Sequence, residues 1–493
     1  MSNNSIHEWT MLEAARNIRE GKISSRELTK AILDRISVLD PKINSYITVL
    51  PEEAMAAAAA CDEAQAKGEL RGPLHGVPIG LKDLFCTRTV RTTCGSRTLA
   101  DFTPPHDATV VEKVFASGAI FIGKHNMDEF AMGASTETSW FGPTRNPWDL
   151  SRVSGGSSGG TTAAVAASLC FAGVGSDSGG SIRQPAAFCG VVGMKPTYGR
   201  ISRHGMIAFA SSLDQAGPVT RSVADAAALL GIIAGYDKMD STSVDLPVPD
   251  YLGAASMPVN GMRIGLPKEY FEVDGLDPDV KAAVERALKN LTDQGASVVE
   301  VSLPHTEYAL SVYHLIAQAE ASSNLARYDG IQYGYRTEGA HGFVEMMSRT
   351  RAEGFGEEVK RRIMIGTYAL SAGYYDAFYG KAQKVRTLIR RDFEEVFQKV
   401  DALLTPTTPI PAFRLGEKTS DPLTMYLIDV LTMPCNLAGI PGISVPCGFS
   451  PEGLPIGVQL LVGHFREETM FAAAGAIERA ISIPRVASAL RAD

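Results

Sequence analysis

Two glycine-rich loops that carry serines constrain this chain more than any other feature. The first is Gly155-Gly156-Ser157-Ser158-Gly159-Gly160 and the second is Asp177-Ser178-Gly179-Gly180-Ser181. Glycine has no Cβ, so such loops bring bare backbone close to a ligand and take turns closed to other residues. An Ala- and Val-rich helical stretch over 161–169 follows the first loop at once, which argues against a flexible linker. An apolar strand over 171–175 feeds the second loop, and 182–188 is compatible with a helix despite Pro185 near its start. Each loop is therefore a junction between regular elements.

A free serine is almost wholly protonated at neutral pH and needs a base to become a nucleophile. No histidine lies in or between the loops, and His125, the closest upstream, is well separated from the first. Lys82 is the candidate base, within Gly76-Val77-Pro78-Ile79-Gly80-Leu81-Lys82-Asp83. Strand alternation puts Val77, Ile79 and Leu81 on one face and Pro78, Gly80 and Lys82 on the other, leaving room beside the lysine for another segment. A lysine buried there loses solvation of its charge, and its pKa falls towards the range of a general base. The ordinary alternative is a strand-end lysine with its ammonium in water.

Gly155-x-Ser157-x-Gly159 formally matches a nucleophile elbow, but the preceding Asn146-Pro147-Trp148-Asp149-Leu150-Ser151-Arg152 is not the apolar strand an elbow needs. A phosphate loop would end in Gly-Lys-Ser/Thr, which is absent. The second loop is the better nucleophile site. It delivers Ser181 to a helix start, where the N–H groups of Ser178, Gly179, Gly180 and Ser181 are available to a developing oxyanion. A simple N-cap serine is the alternative. Together the residues point to a hydrolase or acyl transferase with lysine where most serine enzymes have histidine.

At 493 residues, with 45% hydrophobic and 21% charged side chains, the chain has the composition of a soluble globular protein with a large core. Its net charge of −8 makes a poor grip on phosphates, so any RNA is expected to be held by a partner. Seven cysteines without a CxxC pair read as reduced thiols. Nine histidines without ligand spacing give no expectation of a metal. The opening residues Met1-Ser2-Asn3-Asn4-Ser5 have no secretory pattern, and no apolar run reaches the ~18 residues of a membrane span. A cytoplasmic location is expected.

Capping boxes at Thr10/Glu13 and Ser24/Glu27 predict helices ending at Gly21 and near Asp40-Pro41, with a third helix over 52–67. Residues 1–70 thus read as a helical preface, 71–235 as the core that bears the loops, and 260–493 as a recognition- and lid-rich second half of a single domain. Further strands are expected over 77–81, 119–123, 262–266 and 297–301, with a helix over 277–294 between the last two. Strands alternating with helices argue for an α/β fold. Residues 238–258 read as a surface connection and 317–384 as mainly helical.

Lys82, the first loop and Gly175-Ser176-Asp177-Ser178-Gly179-Gly180-Ser181-Ile182-Arg183-Gln184-Pro185-Ala186, with their spacing, resemble the amidase signature family. The resemblance implies an α/β amidase-signature fold, a central mixed β-sheet flanked by helices on both faces. It also implies a Ser–cis-Ser–Lys triad: Ser181 as nucleophile, Ser157 as bridging hydroxyl after a cis peptide from Gly156, and Lys82 as ultimate base, with Ser178, Gly179 and Gly180 at the oxyanion.

Within the family the chain is most similar, over nearly its full length, to the glutaminase subunits of tRNA-dependent amidotransferases. Gly123-Lys124-His125-Asn126-Met127-Asp128-Glu129-Phe130-Ala131-Met132-Gly133, residues 205–218, Glu320-Ala321-Ser322-Ser323-Asn324-Leu325-Ala326-Arg327-Tyr328-Asp329-Gly330 and 354–379 carry that likeness. It implies glutamine as substrate, with Arg362 for its carboxylate, Asp429 for its ammonium and Tyr313 lining the pocket. It implies the B and C subunits of such an enzyme as partners in a heterotrimer, misacylated tRNA held mainly by a partner (Glu-tRNA(Gln), with Asp-tRNA(Asn) left open as a second substrate), and ATP and Mg used there, with no cofactor in this chain. A stand-alone amidase acting on a small amide is the alternative. Leu84, Ser154 and Ser178 depart from the family's usual Asn, Pro and Thr; none removes a triad member, and altered packing near the oxyanion site is the expected effect of Ser178.

Overall fold

The run leading to Lys82 forms a strand whose every residue is buried, because it lies between two other strands in the interior of a large sheet. The computed structural model describes residues 3–484, 486 and 487. Its strands are β1 (Tyr46–Val49), β2 (Pro78–Lys82), β3 (Ile120–His125), β4 (Arg145–Asn146), β5 (Asp149–Val153), β6 (Ala172–Asp177) and β7 (Val192–Lys195). They continue with β8 (Gln215–Thr220), β9 (Arg263–Pro267), β10 (Ser297–Val301), β11 (Ala402–Pro406), β12 (Gly442–Phe449) and β13 (Pro455–Leu461). Eleven strands make one sheet in the order β1-β3-β2-β6-β8-β7-β12-β13-β11-β9-β10, and β4 pairs with β5 apart from it. The sheet is mixed: β2 runs parallel to β3 and β6, and β9 to β10 and β11, while the remaining pairs are antiparallel. Helices Gly159–Ala166, Arg183–Cys189, Pro278–Asp293 and Glu467–Ala480 pack against its strands. This is the α/β class expected from the alternation.

The register of β2 and β6 places the two chemistry-bearing segments. Leu81 pairs with Val174 in parallel, so Lys82 and the loop after Asp177 leave the sheet at the same edge. Active centres of parallel sheets gather at the carboxyl ends of strands for this reason. Gly80 lies beside the lysine, and a Cβ there would stand 2.3 Å from the His125 ring. The room left on the lysine's face is thus filled by an imidazole. His125 is itself buried, and burial pushes its pKa down to about 3, so it stays neutral.

Both capping boxes form, ahead of helices Met11–Arg19 and Ser25–Ile43. The second helix carries Pro41 inside its last turn and ends at Asn44, whose φ of 59° closes it, a little beyond the expected stop. The preface is not purely helical: β1 pairs antiparallel with β3 and forms the sheet's edge. Four residues of strand between two helices give too short a pattern to read locally. The 238–258 connection holds a short helix, Tyr251–Ala254, whose buried Tyr251 hydroxyl accepts from Arg200 Nε at 2.6 Å. All seven cysteines are unpaired and buried.

Candidate active site

Lys82 is fully buried, and its Nζ is surrounded by hydroxyls: Ser157 Oγ at 2.7 Å, Ser176 Oγ at 2.9 Å and Ser158 Oγ at 3.0 Å. The Ser176 carbonyl stands at 3.5 Å and receives the Ser158 hydroxyl at 3.0 Å. Burial drives the lysine's pKa down to about 7, against the opposing pull of Asp128, Asp177, Cys94 and Asp214. The peptide between Gly156 and Ser157 is cis. Position 156 admits only glycine, since a Cβ would meet Asp128 Oδ2 at 2.0 Å and the Ser135 and Thr136 nitrogens at 2.7 and 2.9 Å.

The second loop folds back on Asp177. Its Oδ1 accepts from Gly180 N–H at 2.8 Å, and its Oδ2 from Ile182 N–H at 3.2 Å and Arg183 Nε at 3.0 Å. Burial would raise this carboxyl, but Arg183 outweighs it and holds the pKa at about 2. The Gly180 N–H, expected to serve an oxyanion, is therefore committed to Asp177, because a buried ion pair draws the nearest amides onto its anion. The N–H groups of Ser178, Gly179 and Ser181 have no hydrogen-bond partner among the described residues. Ser178 Oγ donates to Asp214 Oδ1 at 2.6 Å, so the serine that stands in place of threonine keeps its hydroxyl in use.

Ser181 is brought against the first loop through its main chain, its carbonyl accepting from Ser158 N–H at 3.0 Å. No hydrogen bond joins the Ser181 and Ser157 hydroxyls. The first loop, the second loop and the end of β2 thus meet at one point, while Leu84 and Ser154 lie buried beside it.

The three residues expected to recognise substrate also converge here. Tyr313 lies on helix Ala309–Asn324, and a Cβ on Gly179 would meet its ring at 2.6 Å. Asp429 is buried with Oδ1 lacking a partner among the described residues, 3.1 Å from where a Cβ on Gly180 would stand. Burial, reinforced by Asp177, pushes its carboxyl well above the usual range. Arg362 is 5% exposed on helix Glu357–Leu370, and its Nε donates to Glu358 Oε1 at 2.7 Å. Burial works against its charge, but Glu358 overrides this and keeps it protonated. Its Nη1 and Nη2 have no partner among the described residues. Arg361, the neighbour most easily confused with it, points to Glu358 from a more exposed position.

Sequence reasoning missed Ser176, Asp128 and Thr432. Thr432 Oγ1 donates to the Gly179 carbonyl at 2.7 Å and buttresses the loop. Ser176 had a readable signal, since it sits on β6 two residues past the partner of Leu81. Thr432 had none, as it reaches the loop from 253 residues away. No group of three or more His, Cys, Asp or Glu among the described residues could hold a metal ion.

A sequence profile of the family described as Amidase matches residues 27–471. The chain belongs to the amidase family. Among other amidases it is similar to the A subunit of the glutamyl-tRNA(Gln) amidotransferase of Moorella thermoacetica, 60% identical over 480 residues that cover 97% of this chain and 98% of that one. The crystal structure of the same-named protein from Thermotoga maritima matches with a TM-score of 0.81 at 43% identity, covering 98% of each chain. The peptide amidase of Stenotrophomonas maltophilia matches with a TM-score of 0.82 at 31% identity, covering 98% of this chain and 99% of that one. One amidase fold thus serves proteins named for an amidotransferase and a protein named for amide hydrolysis. No helix among the described residues is long and apolar enough to cross a membrane.

Proposed function

We propose that this amidase is the glutaminase subunit of a tRNA-dependent amidotransferase and that the whole chain acts as one catalytic domain. It releases ammonia from glutamine for the B subunit of a heterotrimer that a C subunit completes. The partner holds misacylated Glu-tRNA(Gln), activates its glutamate with ATP and Mg, and amidates it, in the cytoplasm. The observation that carries the chemistry is Lys82 Nζ at 2.7 Å from Ser157 Oγ in a dry site, its pKa lowered by burial to about 7. The 60% identity to a protein named for the amidotransferase favours that reading over a free amidase.

The hydrogen-bond arrangement gives the neutral lysine a direction. A neutral amine has two N–H bonds and one lone pair. Ser158 gives its own proton to the Ser176 carbonyl and so takes one N–H from the lysine; of the two remaining hydroxyls, Ser176 Oγ makes the longer contact and is assigned the other N–H. The lone pair is left for the Ser157 O–H, the shortest of the contacts. Ser157, its proton drawn to Lys82, accepts the proton of Ser181 once that hydroxyl turns onto it, and Ser181 Oγ attacks the side-chain amide carbon of glutamine. The oxyanion is received by N–H groups of Ser178, Gly179 and Ser181. The proton returns through the same hydroxyls to the leaving nitrogen, ammonia departs, and water hydrolyses the γ-glutamyl ester. A free glutamine presents one ammonium and one carboxylate, and the site faces it with Asp429 Oδ1, which has no partner among the described residues, and with the Nη edge of Arg362, whose Nε is taken by Glu358.

Amidation of Glu-tRNA(Gln) by the complex, run once with glutamine and once with ammonium salt, tests the reading. Ser181→Ala is expected to lower the glutamine-supported rate about a thousandfold or more, on the order seen for a lost nucleophile, and to leave the ammonium-supported rate intact. Unchanged glutamine-supported amidation would remove Ser181 from the mechanism. Full glutaminase activity without the partner chains would favour the free-amidase reading.

A further inference from the structure

We propose that Glu358 and Tyr426 are positioning residues that give this site its preference for a substrate with an α-carboxylate, by locking Arg362 in one orientation. The inference rests on the glutaminase reading above and extends it to two residues that act through Arg362.

Arg362 and Glu358 lie one turn apart on helix Glu357–Leu370, and the arginine Nε donates to Glu358 Oε1 at 2.7 Å. The Tyr426 hydroxyl donates to that same oxygen, also at 2.7 Å, from a different segment of the chain. Glu358 Oε2 accepts from Arg361, so both carboxylate oxygens are engaged. Burial alone would raise the Glu358 carboxyl, but the charge of Arg362 and the Tyr426 hydrogen bond outweigh it and hold it ionised. With Nε occupied, the end of the guanidinium that carries Nη1 and Nη2 is the edge left over, and a carboxylate binds that edge through two parallel hydrogen bonds.

The ring of Tyr426 lies 5.3 Å from the guanidinium carbon and that of Phe209 5.8 Å, so the fork is held by aromatic faces as well as by its anion. Tyr426 is fixed in turn by the His314 ring, whose centroid is 4.1 Å away. His314 is kept neutral, since burial and then Arg362 lower its pKa to about 3, and it brings no second cation to compete for the carboxylate. Arg361, Arg362, Glu358 and Tyr426 line a cavity of about 250 Å³.

Position along the chain gives the arrangement its selectivity. Tyr426 ends helix Pro422–Tyr426, and Asp429 ends the turn Leu427–Asp429 that follows directly. The Tyr426–Glu358–Arg362 chain of hydrogen bonds therefore ties the segment bearing the Asp429 carboxyl to the helix bearing the guanidinium, whose Nη edge is left over. The separation of the Asp429 carboxyl from the guanidinium edge is set by this tie, and an α-amino acid, whose ammonium ionises that carboxyl on binding, is recognised by that separation.

The test compares glutamine with 4-aminobutanamide, which is glutamine without its α-carboxylate, as ammonia donors to the purified complex. In the wild type, glutamine is expected to have the higher kcat/KM by about a hundredfold, the worth of a bidentate carboxylate contact. Glu358→Ala is expected to raise KM for glutamine by about tenfold or more with kcat within about twofold, and to change KM for 4-aminobutanamide, which has no carboxylate for the arginine, by a smaller factor, so that the glutamine preference narrows. Glu358→Gln, which keeps the acceptor oxygen, restores most of the lost affinity. Tyr426→Phe, which removes a single buried oxygen and keeps the ring, falls between them and covers the case in which Glu358→Ala does not fold. A glutamine preference in both Glu358→Ala and Tyr426→Phe equal to that of the wild type overturns the inference while leaving the glutaminase reading in place. A wild type that does not prefer glutamine overturns that reading instead.

Discussion

A lysine that titrates near neutrality inside the protein destabilises the fold that holds it, and the size of that effect follows from burial. Lys82 has a pKa of about 7 in the folded chain against 10.5 as an unperturbed side chain. A depression of that size corresponds to about 5 kcal/mol of native-state instability at pH 6, where the amine is charged in both states. Between about 7 and 10.5 the unfolded chain holds the proton and the native chain does not, so stability rises with pH across that window. Lys82→Met keeps the length of the side chain and removes the titration. Its stability relative to the wild type is therefore expected to fall by ~3 kcal/mol from pH 6 to pH 9, on top of a constant offset from the hydroxyls left unpaired. Urea unfolding of both proteins at pH 6, 7.5 and 9, followed by tryptophan fluorescence, measures it. A difference that does not change with pH would mean that the amine keeps its ordinary pKa, and the neutral-base mechanism would fail with it.

Three further outcomes are expected. The rate of glutamine hydrolysis should climb about tenfold from pH 6 to pH 8, as the neutral fraction of a base with a pKa of about 7 grows, and a flat profile would count against Lys82. Gly156→Ala places a methyl 2.0 Å from Asp128 Oδ2 and against two backbone nitrogens, so glutaminase activity should be lost even where circular dichroism shows a folded chain. Asp177→Asn strips the fully buried Arg183 of its anion and is expected to destabilise the protein by about 3–5 kcal/mol, read as a drop in melting temperature.

The elements that were readable along the chain are those whose signal is local. Both N-terminal capping boxes, the strand–helix–strand unit from β9 to β10 and the strand before Lys82 announce themselves by residues within a turn or two of each other. Strand β1 does not, because its four residues owe their conformation to β3, a strand far along the chain. The seven strands from β7 onward that complete the sheet follow the same rule: of these only β9 and β10 carry a pattern strong enough to find. At the site, glycines and serines in a fixed order named the loops and the lysine, whereas the fate of one amide, Gly180 N–H, depended on where Arg183 placed the Asp177 carboxylate.

Residue types and spacing along the chain carried the α/β class, the choice of Lys82, Ser157 and Ser181 as candidates, and the need for glycine around them, because these follow from chemistry within one segment. Folding settled what depends on distance through space: the burial that lowers the pKa of Lys82, the three serine hydroxyls within reach of its Nζ, and the Glu358 carboxylate that Arg362 and Tyr426 share. Dielectric surroundings and hydrogen-bond partners are supplied by segments far apart in the chain, and no local pattern encodes them.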